Sequence, residues 1–356
     1  METITIKDIA RICGVGVSTV SRALNNHPDI NPETRAHIME VVEQYDFVPN
    51  NSARNLKITS SRTIAVLCKG MSNPFFMKMI KIMEEEIQSR NYSMELRHVD
   101  ENADEVELAI ELEREKKLRG IVFLGGRFTH SNEKLARIGV PFVLSTIFME
   151  KDKNLNFSSV SVDDVVESRK VVDYLIDMGH KRIALMTATK SDTSIGKLRT
   201  DGYRAAFKAH GYKVSDELIV HSDDSCEDIY TMENGYNMMK EMLAKGLDFT
   251  AVFAISDTIA IGACKALIES GKRIPEDVSV AGFDGIDMGH FYSPSLTTLG
   301  QPFDDMARAT IRQLFEVIRH NASHERKIFE GELIKGESVA AVCSSGKEKP
   351  SGSLPN

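Results

Sequence analysis

Nothing in this 356-residue sequence approaches the roughly 20 uninterrupted apolar residues that a membrane-spanning helix needs. No apolar stretch follows a basic start in Met1-Glu2-Thr3-Ile4-Thr5-Ile6-Lys7-Asp8, so the expectation is a cytoplasmic chain without a secretory signal. Cysteine is sparse. Cys13, Cys68, Cys226, Cys264 and Cys343 are odd in number, scattered and in no C-x-x-C pair, which suggests neither a disulfide framework nor a zinc site. Catalytic signatures are missing as well. There is no G-x-x-x-x-G-K-[ST] phosphate loop, no G-x-G-x-x-G after the first strand, no G-x-S-x-G turn and no H-E-x-x-H pair, and the ten histidines show no metal spacing. His180, in a Gly-His-Lys-Arg turn, reads as a helix-end residue rather than a base. No enzyme, cofactor or metal is expected.

A positive excess is also lacking: the net charge is −8. Its distribution matters more than its sum. From Ala10 to Asn25 the only charges are Arg11 and Arg22, and from Pro49 to Arg62 they are Arg54, Lys57 and Arg62, while the carboxylates of Asp29, Glu33, Glu40, Glu43 and Asp46 fall between. A small basic face on an acidic body is compatible with this pattern.

What is present changes character near residue 60. Beyond it, short apolar runs alternate with helical ones: Thr63–Cys68, Gly120–Leu124, Pro141–Leu144, Arg182–Met186, Thr250–Ala254 and Val278–Gly282 read as buried strands. Phe76, Met79, Ile80, Met83 and Ile87 keep helical spacing, as do Val165–Met178 and Asp257–Ser270. Continuous apolar strands separated by helices predict parallel sheets with helices on both faces, and their combined length predicts two α/β lobes.

The first fifty residues predict three short helices. Thr5 and Asp8 fit a capping box, and a Gly14-Val15-Gly16 break leads into Val17–Leu24. Asn31-Pro32 opens the third helix. Ile9, Ala10, Val15, Val20 and Leu24 can face inward with Ile38, Val41 and Val42. That leaves Val17, Ser18, Ser21, Arg22 and Asn25 outward, residues suited to a DNA major groove. Taken alone, a Gly-broken helix pair is more often a plain helical hairpin.

The strings Ile6-Lys7-Asp8-Ile9-Ala10, Ser18-Thr19-Val20-Ser21-Arg22-Ala23-Leu24-Asn25 and Tyr45-Asp46-Phe47-Val48-Pro49-Asn50 resemble the headpiece of the lactose/galactose repressor (LacI/GalR) family of bacterial transcription regulators. The resemblance continues through Asn73-Pro74-Phe75-Phe76, Gly179-His180-Lys181-Arg182, Ser256-Asp257, Gly282-Phe283-Asp284 and Leu296–Pro302. It implies a helix-turn-helix headpiece over 1–49, a hinge helix or linker over 50–61, and a two-lobed periplasmic-binding-protein-like core over 62–343. The lobes fall at about 62–160 with 301–324, and about 161–300 with 325–343. A disordered tail is expected over 344–356. Val17, Ser18 and Arg22 would read base edges, and Thr5, Thr19, Ser21 and Asn25 would hold phosphates. Asn50, Ala53 and Leu56 would lie on DNA in the hinge, with Leu56 wedged at a central CpG step. The chain departs from the family at Gly16, where a hydroxyl residue is usual.

In the cleft the resemblance implies a small polyhydroxylated effector, with Asn73, Phe75, Phe76, Thr146, Arg199, Tyr230, Ser256, Asp284 and Gln301 around it. Phe75 or Phe76 has core packing as its alternative, Arg199 a surface ion pair, and Asp284 a helix cap. Thr146 and Ser256 shorten an Asp and an Asn common in the family, and Ser256-Asp257 also suits simple N-capping. Lys69, with Arg199, hints at an acidic or phosphorylated ligand. The expected partners are a pseudo-palindromic operator, a sugar-like effector and a second copy of the chain. No leucine heptad follows Ser344, so a dimer rather than a tetramer is expected.

Overall fold

A computed structural model describes residues 4–24, 29–45, 47, 62–100, 103–126, 128, 130–147, 156–226 and 228–342. The chain divides into two units, Met1–Ser61 and Arg62–Asn356.

In the first unit, helix α1 (Ile6–Ile12) starts at Thr5, whose backbone N–H and hydroxyl both donate to the Asp8 carboxylate, at 3.0 and 2.6 Å. Gly14 then takes a φ of +64°, a left-handed turn that a side chain would strain. It reverses the chain into α2 (Val17–Leu24). Helix α3 (Pro32–Gln44) is capped by Asn31, whose Oδ1 accepts from the Glu33 N–H at 2.8 Å. Ile9, Ala10, Val20, Ala23, Ile38, Val41 and Phe47 close the small core, with Val15, Leu24 and Val42 packed at its margin.

The second unit holds two six-stranded sheets. The first contains β1 (Thr63–Cys68), β2 (Ser93–His98), β3 (Gly120–Leu124), β4 (Phe142–Ser145), β5 (Ser158–Val162) and β11 (Arg326–Phe329), in the order β11-β5-β4-β3-β1-β2 and all parallel. The second contains β6 (Ile183–Thr187), β7 (Ile219–His221), β8 (Ala251–Ala254), β9 (Ser279–Asp284), β10 (Thr297–Gly300) and β12 (Glu332–Ile334), in the order β12-β10-β9-β8-β6-β7, with only β12 antiparallel. In β1, Ile64, Val66 and Cys68 join one apolar cluster and Ala65 and Leu67 another. Both faces are therefore covered, as a parallel sheet requires.

Helices α4 (Pro74–Gln88), α5 (Glu105–Lys116) and α6 (Asn132–Leu135) follow strands of the first sheet. Helices α7 (Asp164–Asp177), α8 (Ile195–Ala209), α9 (Met232–Ala244), α10 (Asp257–Glu269) and α11 (Asp287–Phe291) belong to the second lobe, whereas α12 (Phe303–His320) returns to pack on α4 and the first sheet. The chain thus crosses between lobes three times: after β5, after β10 and between β11 and β12. Two expected lobe boundaries shift. Because Arg326–Phe329 pairs with Ser159–Val162, the first lobe extends through Phe329 rather than ending near 324, and through Val162 rather than 160.

Candidate functional site

On α2 the outward residues expected to read DNA are arranged as the periodicity requires. Val17, Ser18 and Arg22 are exposed, Thr19 and Ser21 half-buried. The first turn of α2 has no acidic residue to oppose a phosphate, and Arg22 lies in its last turn. Gly16 precedes the helix and its carbonyl accepts from the Thr19 and Val20 N–H groups at 2.9 and 3.1 Å. Asn25, Asn50, Ala53 and Leu56, like the expected hinge helix and tail, lie outside the described residues.

In the second unit, a cavity of about 480 Å³ lies between the lobes. Asn73, Phe75, Phe76, Thr146, Arg199, Tyr230, Asp284 and Gln301 line it, drawn from loops and helix starts beyond the carboxyl ends of strands in both sheets. This is where ligands bind in open α/β sheets. Asn73 caps α4 with its Oδ1, which accepts from the Phe75 N–H at 3.1 Å, and its amide donates to Asp284 Oδ2 at 2.8 Å, joining the lobes. Phe75 and Phe76 pack edge to face at 5.5 Å and serve both the core and the cavity wall.

Asp284 is the centre of the arrangement. Its φ of +118° is strained for a residue with a side chain, and Gly285 follows at +74°. The carboxylate accepts from Asn73 and Gln301, each at 2.8 Å, with Arg199 Nη1 3.5 Å away. Arg199 also donates to Asp164 Oδ1 at 2.9 Å and to the Ile255 carbonyl at 2.5 Å, while its guanidinium lies 3.6 Å from the centre of the Phe283 ring. Arg199 is a buried brace, not a surface ion pair. Burial pushes the Asp284 carboxyl above its ordinary value against the pull of Arg199 and the two amides. A carboxylate has about four acceptor positions, so any donor entering the cavity would share Asp284 with groups already bound.

Thr146 adds an opening. It sits at a φ of +65°, and its buried Oγ1 has no hydrogen-bond partner among the described residues. A buried hydroxyl without a partner in a cavity wall is chemically able to bond to a group that enters.

Ser256 does not join this lining. Its hydroxyl caps α10, accepting from the Ile259 N–H at 3.3 Å, and bonds to Thr258 Oγ1 at 2.9 Å. The strand-to-helix junction uses the hydroxyl locally, as N-capping does. His180 is tied by its two ring nitrogens to Thr250 Oγ1 and the Ala340 carbonyl, at 2.9 and 3.1 Å, a structural tether.

The charge arrangement weighs against the hint of an anionic ligand. Lys69 Nζ is 2.7 Å from Glu105 Oε2 and donates to the Ala103 carbonyl at 2.8 Å, so both cations of the described lining are already paired. Against Lys69 and Arg199 the same lining sets Asp104, Glu105, Asp192, Asp224 and Asp284. Glu105, His130, Thr189, Ser191, Asp192 and Asp224 were not anticipated from the sequence. They follow β2, β3, β6 and β7, and β2 and β7 are edge strands without an apolar run to announce them.

Among the described residues no helix is long and apolar enough to cross a membrane, and no group of three or more His, Cys, Asp or Glu is placed to hold a metal ion. Residues 5–50 match the family described as bacterial regulatory proteins, lacI family, and residues 172–339 match a periplasmic binding protein-like domain. The HTH-type transcriptional regulator MalR of Clostridium butyricum is 38% identical over 336 residues, covering 94% of this chain and 98% of that protein. A complex of the transcriptional regulator CelR with cellobiose is similar at 27% identity and a TM-score of 0.67, covering 94% of this chain and 99% of that one. A LacI family regulator from Enterococcus faecium with bound ribose gives 26% identity and a TM-score of 0.67, covering 79% of this chain and 99% of that one. With its helix-turn-helix headpiece and its two-lobed core, the chain belongs to the LacI family of bacterial DNA-binding transcriptional regulators and is not an enzyme.

Proposed function

We propose that this protein is a cytoplasmic repressor of carbohydrate-utilisation genes that releases its operator when a neutral sugar enters the interlobe cavity. The observation that carries this is the Asn73–Asp284 hydrogen bond between the lobes, inside a cavity rich in hydroxyl-binding groups. A ligand there touches both lobes, and one that favours a single lobe arrangement shifts the population towards it. The paired cations and the surplus of carboxylates favour a neutral polyol over an anion.

In this reading α2 enters the major groove with Val17, Ser18 and Arg22 on base edges, while Thr5, Thr19, Ser21 and Asn25 hold phosphates. Asn50, Ala53 and Leu56 meet the minor groove at a central CpG step. Two half-sites call for a homodimer. Phe291, 84% exposed, and the half-exposed Met288 and Ile268 support an apolar contact face on the second lobe.

Fluorescence anisotropy with a pseudo-palindromic duplex centred on CpG tests the proposal. Expected are binding that weakens steeply with salt, loss of binding in Leu56→Ala, and release by a sugar. Binding that appears only after ligand is added would favour the alternative, a corepressor-dependent regulator. Failure to bind any such duplex with or without ligand would overturn both.

A further inference from the structure

The strand order sorts the cavity lining into two groups. Thr146, Asp284 and Gln301 follow β4, β9 and β10, on the side of the sheets where the chain crosses between lobes. Lys69, Glu105 and His130 follow β1, β2 and β3, and Thr189, Ser191 and Asp224 follow β6 and β7, towards the opposite edge of each sheet. The first group is the hydroxyl-binding centre already described. The second contains a charged triad in the first lobe: Glu105 Oε2 lies 2.7 Å from Lys69 Nζ, and Glu105 Oε1 lies 2.9 Å from His130 Nε2.

This triad is built into the fold. Lys69 and Glu105 are only 7% and 6% exposed, and the Lys69 stem crosses so close to Gly126 that a Cβ there would stand 2.7 Å from it. Gly126 also has a φ of +81°, so the loop after β3 is shaped for the lysine. A buried ion pair of this kind adds little net stability. With Nε2 engaged by Glu105, His130 retains Nδ1 without a partner among the described residues. In the second lobe Ser191 bonds to Thr189 Oγ1 at 3.1 Å and to Asp224 Oδ1 at 3.5 Å, which leaves most of the exposed Asp224 carboxylate open.

We propose that these residues form a second sugar subsite, with His130 and Asp224 as its recognition groups, and that the effector is a neutral disaccharide with one ring in each subsite. The inference rests on the sugar-effector reading and specifies its ligand. A volume of about 480 Å³ falls within the roughly 300–1,000 Å³ of small-molecule sites, and the polar lining continues past the Asp284 centre to His130 and Asp224. Hydroxyl donors from the second ring would find Asp224 and His130 as acceptors, and the held Lys69–Glu105 pair fixes the imidazole that meets them.

Isothermal titration calorimetry on the full chain tests this with ribose, glucose and galactose against maltose, cellobiose, lactose and trehalose. At least one disaccharide should bind about tenfold more tightly than every monosaccharide. His130→Ala and Asp224→Asn should each cut that preference about fivefold or more; Asp224 is exposed, so its change does not threaten folding. Monosaccharides binding as tightly as all four disaccharides, or a preference unchanged in both variants, would overturn the second subsite alone. No binding of any of the seven sugars would overturn the sugar-effector reading and the subsite with it.

Discussion

In the proposed reading, helix α2 and the interlobe cavity solve recognition in opposite ways. On α2 the working side chains lie within a few consecutive residues, mostly exposed, supported by apolar neighbours one turn away. In the cavity they come from segments more than 200 residues apart, as Asn73 and Asp284 do, and, Thr146 excepted, the buried polar ones are bonded to neighbouring groups. A headpiece can leave its polar groups to water because its partner is large and highly charged. A cavity must satisfy most of its own, because unpaired buried polar groups are costly. Substitutions at the two places should therefore fail differently, one in binding alone and the other in stability as well.

Arg199→Ala should give the largest effect. Removing the cation leaves Asp164 and Asp284 buried without it, and breaking a buried pair costs about 3–5 kcal/mol. A thermal melt should show a clear fall in Tm along with loss of effector binding; an unchanged melt would put the cavity on the same footing as the headpiece. Arg22→Ala should do the reverse. Operator affinity should drop by about 1–3 kcal/mol by anisotropy while the melting curve stays put, and a parallel loss of stability would erase the contrast.

The third prediction concerns pH. Burial pushes the Asp257 carboxyl up to about 8, with the Asp284 charge adding to the shift; its oxygens accept from Thr298 Oγ1 at 2.5 Å and the Ile286 N–H at 2.8 Å. The folded chain keeps a proton that the unfolded chain has lost, so this contribution is complete below about pH 4 and is lost as pH rises towards about 8. Burial shifts Asp164 and Asp284 in the same direction. Urea midpoints should fall between pH 5.5 and 7.5, and Asp257→Asn should flatten that slope. A slope unaffected by the substitution would mean that Asp257 is ionised throughout.

Smallest is Gly16→Ser. A Cβ at this position meets nothing closer than Ser18 Oγ at 3.5 Å, so the cap has room, and the gain in headpiece stability should be a few tenths of a kcal/mol. Operator affinity should rise as well if the added hydroxyl reaches a phosphate. Differential scanning calorimetry and anisotropy would separate the two effects.

The same contrast explains what could be read from the sequence. Helix starts at Thr5 and Asn31, and strands such as β1, β3 and β9, are local events with local signatures. Strand β5 is not: Ser158, Ser159 and Ser161 are all at most 1% exposed, yet no hydropathy pattern marks Ser-Ser-Val-Ser-Val as interior. Strand β11 is short and half-buried, and it joins the first sheet only through distant pairing, so nothing local marks the first lobe as continuing past residue 324. Of the cavity residues, those inside a familiar string could be named by resemblance, Asn73 and Asp284 among them. Ser256 could be misassigned because a Ser-Asp junction looks the same whether it caps a helix or binds a ligand. Glu105, at the start of α5, and His130, after β3, meet only through the sheet that carries both segments, and no spacing in one dimension records that meeting.

The three crossings between lobes also have a mechanical meaning. Single-stranded tethers would let one lobe swing or twist freely against the other, whereas three side-by-side segments behave as a flat flexure, compliant to bending and stiff to torsion. A lobe movement driven from the cavity would then be a bend about these three segments, the same three that carry the chain from one sheet to the other.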